Sequence, residues 1–283
     1  MTSDTVRYRR LDGEFARLML RGQDRVRFLS GMVTCDVKGL GPQAGTYGAL
    51  LTVKGKVVSD LLVANRSGDD LLLLVRSFVA KHVMDSLDRY IIVDDAVLTD
   101  ESEALAHLGV YGVRALAVLT GDPAASLEPY QLRALDGAWL WACRELGPES
   151  VHVIGPAAAV AAIEQRLSAA GAQELSSSDA EVLRVESGRP RMGVDFDEER
   201  LPQEAALDDA LCFTKGCFLG QEDVGKPGKL SLYDLSNDIG EKNDLAEKHP
   251  DIVAKLTGIM QKAWTEPRSQ ESDGTYTGSE EDH

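Results

Sequence analysis

Short apolar runs separated by Gly- and charge-rich breaks fill the first part of the chain, the texture of a sheet with brief connections. Val33–Val37 and Tyr47–Val53 are β-like runs, Val57–Asn65 alternates loosely, and Leu71–Val75 is continuously apolar, as suits a buried strand. The period then changes. Val79, Val83, Met84, Leu87 and Tyr90 fall at helical spacing and predict an amphipathic helix over Phe78–Tyr90, with a strand over Ile91–Leu98 after it. A second series repeats the mixture: a strand at Leu108–Tyr111, a short helix at Val113–Leu119, strands at Ala138–Cys143 and Val151–Ile154, and a helix from Pro156 to Ala170. Mixed strands and helices with short connections predict an α+β fold with antiparallel sheets.

From Asp179 the pattern loses its period. Asp179–Val185 can form a helix capped by Ser178 or Asp179. The following stretch, ESGRPRMGVDFDEERLPQEAALDDALCFTKGCFLGQE, is dense in Gly, Pro and charge. Long irregular segments in compact domains are functional or disordered, and Phe196, Leu201, Leu207, Leu211, Phe213 and Phe218 are too apolar for disorder. The segment therefore reads as an ordered, functional loop.

Composition narrows the partners. The chain has 283 residues, 43% hydrophobic and 27% charged, enough for two ordinary domains or one large one with an appendage. Its formal charge of −16 argues against a nucleic-acid backbone or an anionic membrane as the main partner. The start, MTSDTVRYRRLDGEF, lacks the apolar run of a signal peptide, and no stretch approaches the roughly 18 apolar residues of a membrane span, so the sequence reads as cytoplasmic. Cys35, Cys143, Cys212 and Cys217 are too few and too scattered for a disulfide framework. The spacing of Cys212 and Cys217 does not suit paired zinc ligands and no His lies near them, so no metal is predicted. By residue type, three of the four cysteines read as small buried hydrophobes. The five histidines, His82, His107, His152, His249 and His283, stand in unrelated contexts and suggest no catalytic triad.

One run is specific. Lys215, Gly216, Cys217, Phe218, Leu219, Gly220, Gln221 and Glu222 match K-G-C-aromatic-x-G-Q-E, the signature of the YgfZ family, at every fixed position. Arg184, Glu186, Gly188, Arg189 and Pro190, then Gly193, Asp195, Leu201, Pro202, Glu204, Ala205 and Asp208, resemble that family's R-x-E-x-G-R-P … G-x-D … L-P-Q-E-A … L-D in order and spacing. Phe28, Leu29, Gly31, Thr34, Asp36 and Val37 resemble its F-L-x-G-x-x-T-x-D-V; Leu51, Thr52, Lys54, Gly55, Lys56 and Asp60 resemble its L-T-x-K-G-K/R-x-x-x-D. The resemblance covers about residues 6–222.

The resemblance implies an aminomethyltransferase-like folate-binding fold, made of two intertwined α+β subdomains over residues 1–222. It further implies a tetrahydrofolate-binding accessory that assists iron–sulfur cluster assembly or repair in client enzymes. A folate-dependent aminomethyltransferase is the alternative. Glu186 aligns with the pterin-binding glutamate of the aminomethyltransferase relatives; a buried carboxylate can read a reduced pterin by paired, charge-assisted hydrogen bonds. Lys215 falls near the basic residue those relatives use on the folate's anionic part. Asp60 sits where they carry two adjacent acids, but here Ser59 precedes it, which favours binding over transfer. Cys217, beside Lys215 and a glycine-containing turn, is the implied functional thiol.

The match ends at Glu222, where the family continues into a C-terminal β-barrel. Instead Leu232, Tyr233, Asp234, Leu235, Asp238, Gly240, Glu241, Asn243, Leu245, Ala246 and Pro250 resemble the C-terminal segment of sulfatases. A helix follows, with Ile252, Val253, Leu256, Ile259, Met260 and Trp264 at helical spacing. The chain lacks the sulfatase C/S-x-P-x-R motif, so no sulfatase chemistry is expected of this tail. Residues 223–265 thus read as a sulfatase-like segment with a short helix, replacing the barrel, and 266–283 as a polar, disordered terminus.

Overall fold

The computed structural model describes residues 5–224, 232 and 243–265. Most of the sulfatase-like run, including Tyr233–Glu241, and the terminal stretch 266–283 lie outside the described residues. The chain divides into two compact units, Met1–Gly225 and Lys226–His283.

In chain order the first unit comprises β1 (Arg7–Arg10), β2 (Phe15–Arg21), α1 (Arg25–Met32), β3 (Ala44–Leu51), β4 (Val57–Asn65), β5 (Leu71–Arg76), α2 (Ala80–Asp88), β6 (Val97–Asp100), β7 (Leu105–Tyr111), α3 (Ala115–Thr120), β8 (Leu132–Leu135), β9 (Ala138–Ala142), β10 (Ser150–Pro156), α4 (Ala157–Ala169), β11 (Gln173–Glu174), α5 (Ser177–Glu186) and α6 (Gln221–Val224). The second contains α7 (Pro250–Thr265). No described helix is long and apolar enough to cross a membrane.

The strands form two sheets, β3-β4-β5-β2-β6 and β11-β1-β7-β10-β9-β8. All pairs are antiparallel except β1 with β11. Successive strand side chains point to opposite faces, and this sorts the core into layers. On β5, Leu71, Leu73 and Val75 join Ala16, Leu18 and Leu20 of β2 in a core with α1 and α2; Leu72 and Leu74 join Phe15 and Met19 in a layer completed by Leu132, Trp141 and Ile154 from the other sheet. With both faces covered, β5 can be apolar throughout. The opposite face of the second sheet packs Leu108, Val110, Leu140, Val151 and Val153 against Val160, Ile163 and Leu167 of α4.

The irregular segment after α5 closes the first core. Met192, Phe196, Ala205, Leu207, Ala210, Phe218 and Val224 are all buried beside α1 and the first sheet. Its order comes from this burial rather than from a hydrogen-bond ladder.

Three local expectations are corrected. Val33–Val37 is no strand: only Val33 bridges to Leu50, and the buried Thr34 instead accepts from the Ala49 amide (2.8 Å) and donates to the Ala210 carbonyl (2.5 Å). Ile91–Leu98 is a loop up to Ala96, with Ile92 and Val93 exposed, because reciprocal bonds between Asp24 and Asp95 (3.0 and 2.9 Å) tie it to the start of α1. Ser176, not Ser178 or Asp179, caps α5 by accepting from the Asp179 amide (3.1 Å). Of the cysteines, Cys35 and Cys143 are buried, Cys212 is half-buried and Cys217 is exposed.

Within the signature run, neighbouring residues therefore carry different weights. Phe218→Ala should cost about 3–5 kcal/mol in urea denaturation, as a large-to-small core change. Cys217→Ser should leave stability within about 0.5 kcal/mol.

Candidate functional site

Strand alternation that fills the inter-sheet layer with leucines also sends polar groups into it. The β4–β5 register sets Leu62 opposite Leu74; extended by two residues, it brings Asp60 opposite Arg76. Asp60 Oδ2 accepts from the Tyr47 hydroxyl (3.0 Å), whereas Oδ1 is sealed from solvent with no hydrogen-bond partner in the protein. Burial raises the Asp60 pKa, and Arg76 is the largest influence pulling it back. Ser59 is fully buried and points to the opposite face, so of these two positions only Asp60 reaches the inter-sheet layer.

Arg76 is a junction. Its guanidinium lies 4.1 Å from the centroid of the Phe15 ring and 3.7 Å from carboxylate oxygens of both Glu14 and Glu145. Glu145 Oε2 accepts from the Tyr111 hydroxyl (3.1 Å) and bonds His152 Nε2 (3.0 Å); His152 Nδ1 in turn bonds His107 Nε2 (3.0 Å). The two histidines, read from sequence as unrelated, are thus a pair. The β7–β10 register sets His152 opposite Gly109 and Ile154 opposite His107, which places both rings on one face of adjacent strands. Gly109 must be glycine here, since a Cβ would fall 2.0 Å from the Tyr111 hydroxyl. Burial, then the neighbouring His152, holds His107 well below the ordinary histidine pKa. Burial alone would raise Glu145; the His152 bond, Arg76 and Tyr111 hold it down at about 2.

Asp60, Arg76 and Glu145 wall a narrow cleft that is partly open to solvent. Tyr47, Asp60, Arg76, Tyr130, Arg144, Glu145, Arg184 and Arg189 line it over an apolar floor of Phe15, Leu62 and Leu74. The Arg and Asp of the R-x-E-x-G-R-P … G-x-D stretch meet at its lip: buried Arg184 donates to Asp195 Oδ2 (2.6 Å) and to Glu181 Oε1 (2.6 Å).

Of the four residues given a role from sequence, Asp60, Glu186, Lys215 and Cys217, only Asp60 lines this cleft, alongside Arg184, Arg189 and Pro190 of the R-x-E-x-G-R-P stretch. Glu186 ends α5 and is exposed. Lys215 donates to the Ser30 carbonyl and lies 5.2 Å from the centroid of the Phe218 ring; its charge acts on Cys35 and Cys212. Burial pushes the Cys35 thiol up to about 12 despite that lysine.

The signature run instead joins the other motifs. The Leu219 amide donates to the Gly31 carbonyl (3.0 Å), the Cys212 amide to the Thr34 carbonyl (3.0 Å), and the Gln221 side chain accepts from the Phe218 amide (3.2 Å). At Gly220, with φ +78°, a Cβ would lie 2.3 Å from the Thr52 carbonyl oxygen. Segments 28–37, 51–56 and 201–222 are therefore one packed unit that leaves Cys217 at the surface and Glu222 exposed. Among the described residues no three His, Cys, Asp or Glu side chains are grouped to hold a metal.

The cleft-lining Arg76 and the buried histidine pair linked to it through Glu145, missed from sequence, were visible as polar interruptions of apolar strands: Arg76 ending LLLLVR, His107 within LAHLGVY and His152 within SVHVIGP. No spacing along the chain links them; only the sheet does.

Residues 13–140 match the GCVT N-terminal domain family. Among solved structures, the glycine cleavage system aminomethyltransferase T from Bartonella henselae superposes with a TM-score of 0.71 at 20% identity, covering 79% of this chain and 63% of that one. The fold is thus aminomethyltransferase-like. The tRNA-modifying protein YgfZ of Serratia proteamaculans is 28% identical over 242 residues, covering 83% of this chain and 72% of that protein. An aminomethyltransferase of Herpetosiphon aurantiacus is 26% identical over 214 residues, covering 73% of this chain and 59% of its own. The chain is thus similar in sequence to YgfZ-type and aminomethyltransferase proteins.

The two buried carboxylates should have opposite signatures. Glu145, whose folded pKa is depressed to about 2 from 4.5, contributes stability that is present above about pH 4.5 and lost as pH falls toward 2. The destabilisation caused by Glu145→Gln should therefore shrink on acidification. Asp60, whose folded pKa is raised, costs stability above that pKa and is relieved as pH falls. Asp60→Asn should raise the neutral-pH melting temperature, by about 2–4 °C for each kcal/mol relieved. Urea and thermal denaturation of both variants across pH check this.

Proposed function

We propose that the first unit binds a reduced folate in the cleft between its sheets and serves as an accessory to iron–sulfur cluster assembly or repair in client enzymes. The observation that carries the folate reading is Asp60 Oδ1: a buried carboxylate oxygen without a partner, on the wall of an apolar-floored cleft, fits a ligand that presents N–H donors. The amide-like edge of a pterin is such a group. Tetrahydrofolate, when bound, supplies a carrier of one-carbon units. Asp60 would receive its N–H donors, with Arg76 sustaining the carboxylate's charge and Tyr47 fixing its second oxygen. Phe15, Leu62 and Leu74 would exclude water from the ring face.

The iron–sulfur reading rests on the signature run and on its exposed thiol. Cys217 stands on a loop anchored through Lys215, Phe218, Leu219 and Gly220, where a partner protein can reach it. The relatives' name, tRNA-modifying protein, is compatible with action through a client enzyme, which needs no nucleic-acid surface on a chain of net charge −16.

A second reading, a folate-dependent aminomethyltransferase, is favoured by Asp60 itself. A carboxylate with a raised pKa facing a cleft can take or give a proton, and Ser59 points away from that cleft. Turnover of tetrahydrofolate with an aminomethylated carrier would decide for it.

Anaerobic calorimetry of the full chain with tetrahydrofolate should give saturable binding. Asp60→Asn should weaken it at least tenfold, while Glu186→Ala, outside the cleft, should stay within about threefold, less than 1 kcal/mol. Absence of binding by the folded wild type would refute the folate assignment. Cys217→Ser should bind folate normally yet fail to restore client-enzyme activity in cells lacking the native protein; full rescue would remove the thiol from the mechanism.

A further inference from the structure

Two of the four thiols meet away from the cleft. The Cys212 amide donates to the Thr34 carbonyl (3.0 Å), and that carbonyl belongs to the peptide leading into Cys35. With this bond fixed, standard covalent geometry holds the Cα atoms of Cys35 and Cys212 within about 7 Å of each other, inside or at the outer limit of the separation that a disulfide spans. The Thr34 hydroxyl adds a second tie by donating to the Ala210 carbonyl (2.5 Å), so the two segments are held side by side.

Lys215 joins the two side chains into one group: it interacts electrostatically with both thiols, and Cys212 acts on Cys35 as well. Its ammonium favours the thiolate form of either sulfur. The pair is unequal. Cys35 lies over Gly48 of β3, where a Cβ would fall 2.4 Å from the Cys35 Sγ, and it is buried. Cys212 is half-buried, with its Sγ 3.4 Å from the Thr214 hydroxyl, and is the one a small solute can reach. Burial pushes the Cys35 thiol up to about 12, so Cys35 suits attack on a sulfur already placed beside it. The motifs assign neither residue: Cys35 falls at an unspecified position of F-L-x-G-x-x-T-x-D-V, and Cys212 lies between the L-D pair and the signature run.

We propose that Cys35 and Cys212 are a redox-responsive pair that closes to an intramolecular disulfide by exchange with a small-molecule disulfide such as oxidised glutathione. The Cys212 sulfur attacks one sulfur of that disulfide, whose S–S bond breaks and releases one thiol bearing the Cys212 proton. The Cys35 sulfur then attacks Cys212 in the mixed disulfide, and the second thiol leaves with the Cys35 proton. Two protein thiols are oxidised by two electrons, and one small disulfide is reduced to two thiols. The cross-link fastens the segment that carries Cys217 to the first sheet and keeps Cys212 from pairing with Cys217 further along the same loop, so the exposed thiol stays available. This inference depends on neither the folate nor the iron–sulfur reading.

The test equilibrates the full-length chain anaerobically in glutathione buffers from fully reduced to fully oxidised, quenches with acid, alkylates in denaturant and maps the peptides by mass spectrometry without reduction. Oxidising buffer should give one peptide pair joined through Cys35 and Cys212, reversed by reduced glutathione, with Cys217 alkylated or carrying glutathione. This arm uses the wild type and depends on no variant folding. In urea, the oxidised wild type should unfold at a concentration higher by about 1 M or more than the reduced form, because the cross-link closes a loop spanning most of the first unit. Cys212→Ser should abolish that difference and Cys217→Ser should keep it. A Cys212–Cys217 cross-link, a lasting glutathione adduct on Cys212, or separate alkylation of Cys35 and Cys212 in the most oxidising buffer would overturn the proposal.

Discussion

A carboxylate buried between two sheets has to be balanced by a nearby cation, and Arg76 provides that balance for Asp60 from the adjacent strand. The rest of the polar layer follows from what Arg76 needs in turn. Glu14 and Glu145 neutralise it, Phe15 carries its flat face, and Tyr111 and the His152–His107 pair keep Glu145 ionised. A network of this kind is costly if half satisfied and rigid if complete. Here its one deficiency among the cleft-lining residues is the buried Asp60 Oδ1; the other orphaned atoms, Arg17 Nε and His107 Nδ1, belong to residues buried away from the cleft lining.

The signature motifs serve a different purpose from the cleft. Thr34, Thr52 and Gly220 are where three separate stretches of chain meet, and each of these residue types answers a local need: a hydroxyl that both accepts and donates, a turn, a backbone approach with no room for Cβ. Phe218 and Leu207 then lock the irregular segment beneath the first sheet. What this scaffold presents outward is Cys217, so the thiol and the inter-sheet cleft, the proposed folate site, occupy separate surfaces of one unit. A partner could engage the first without obstructing the second.

Much of the architecture was legible in the pattern of apolar residues. β4, β5, β9 and α4 lie close to where periodicity sets them, because burial on one or both faces is written directly into residue type. The pattern failed where local bonds overrode it, as in the Asp24–Asp95 clasp that turns Ile92 and Val93 outward. It also passed over β1, β2 and α1, whose arginines mask their apolar faces. For the cleft, Asp60 was found through a motif. Arg76 and Glu145, and the His107–His152 pair bonded to Glu145, were not, because the strand pairing and the turn after β9 that bring them together have no trace in their spacing along the chain.

The most direct measurement is a carbon-detected NMR titration of the Asp60 carboxyl group in the free protein and with tetrahydrofolate under anaerobic conditions. The account predicts a pKa above the ordinary aspartate value in the free protein, and a fall on binding as donors from the ligand stabilise the carboxylate. An ordinary pKa that does not move with ligand would contradict it.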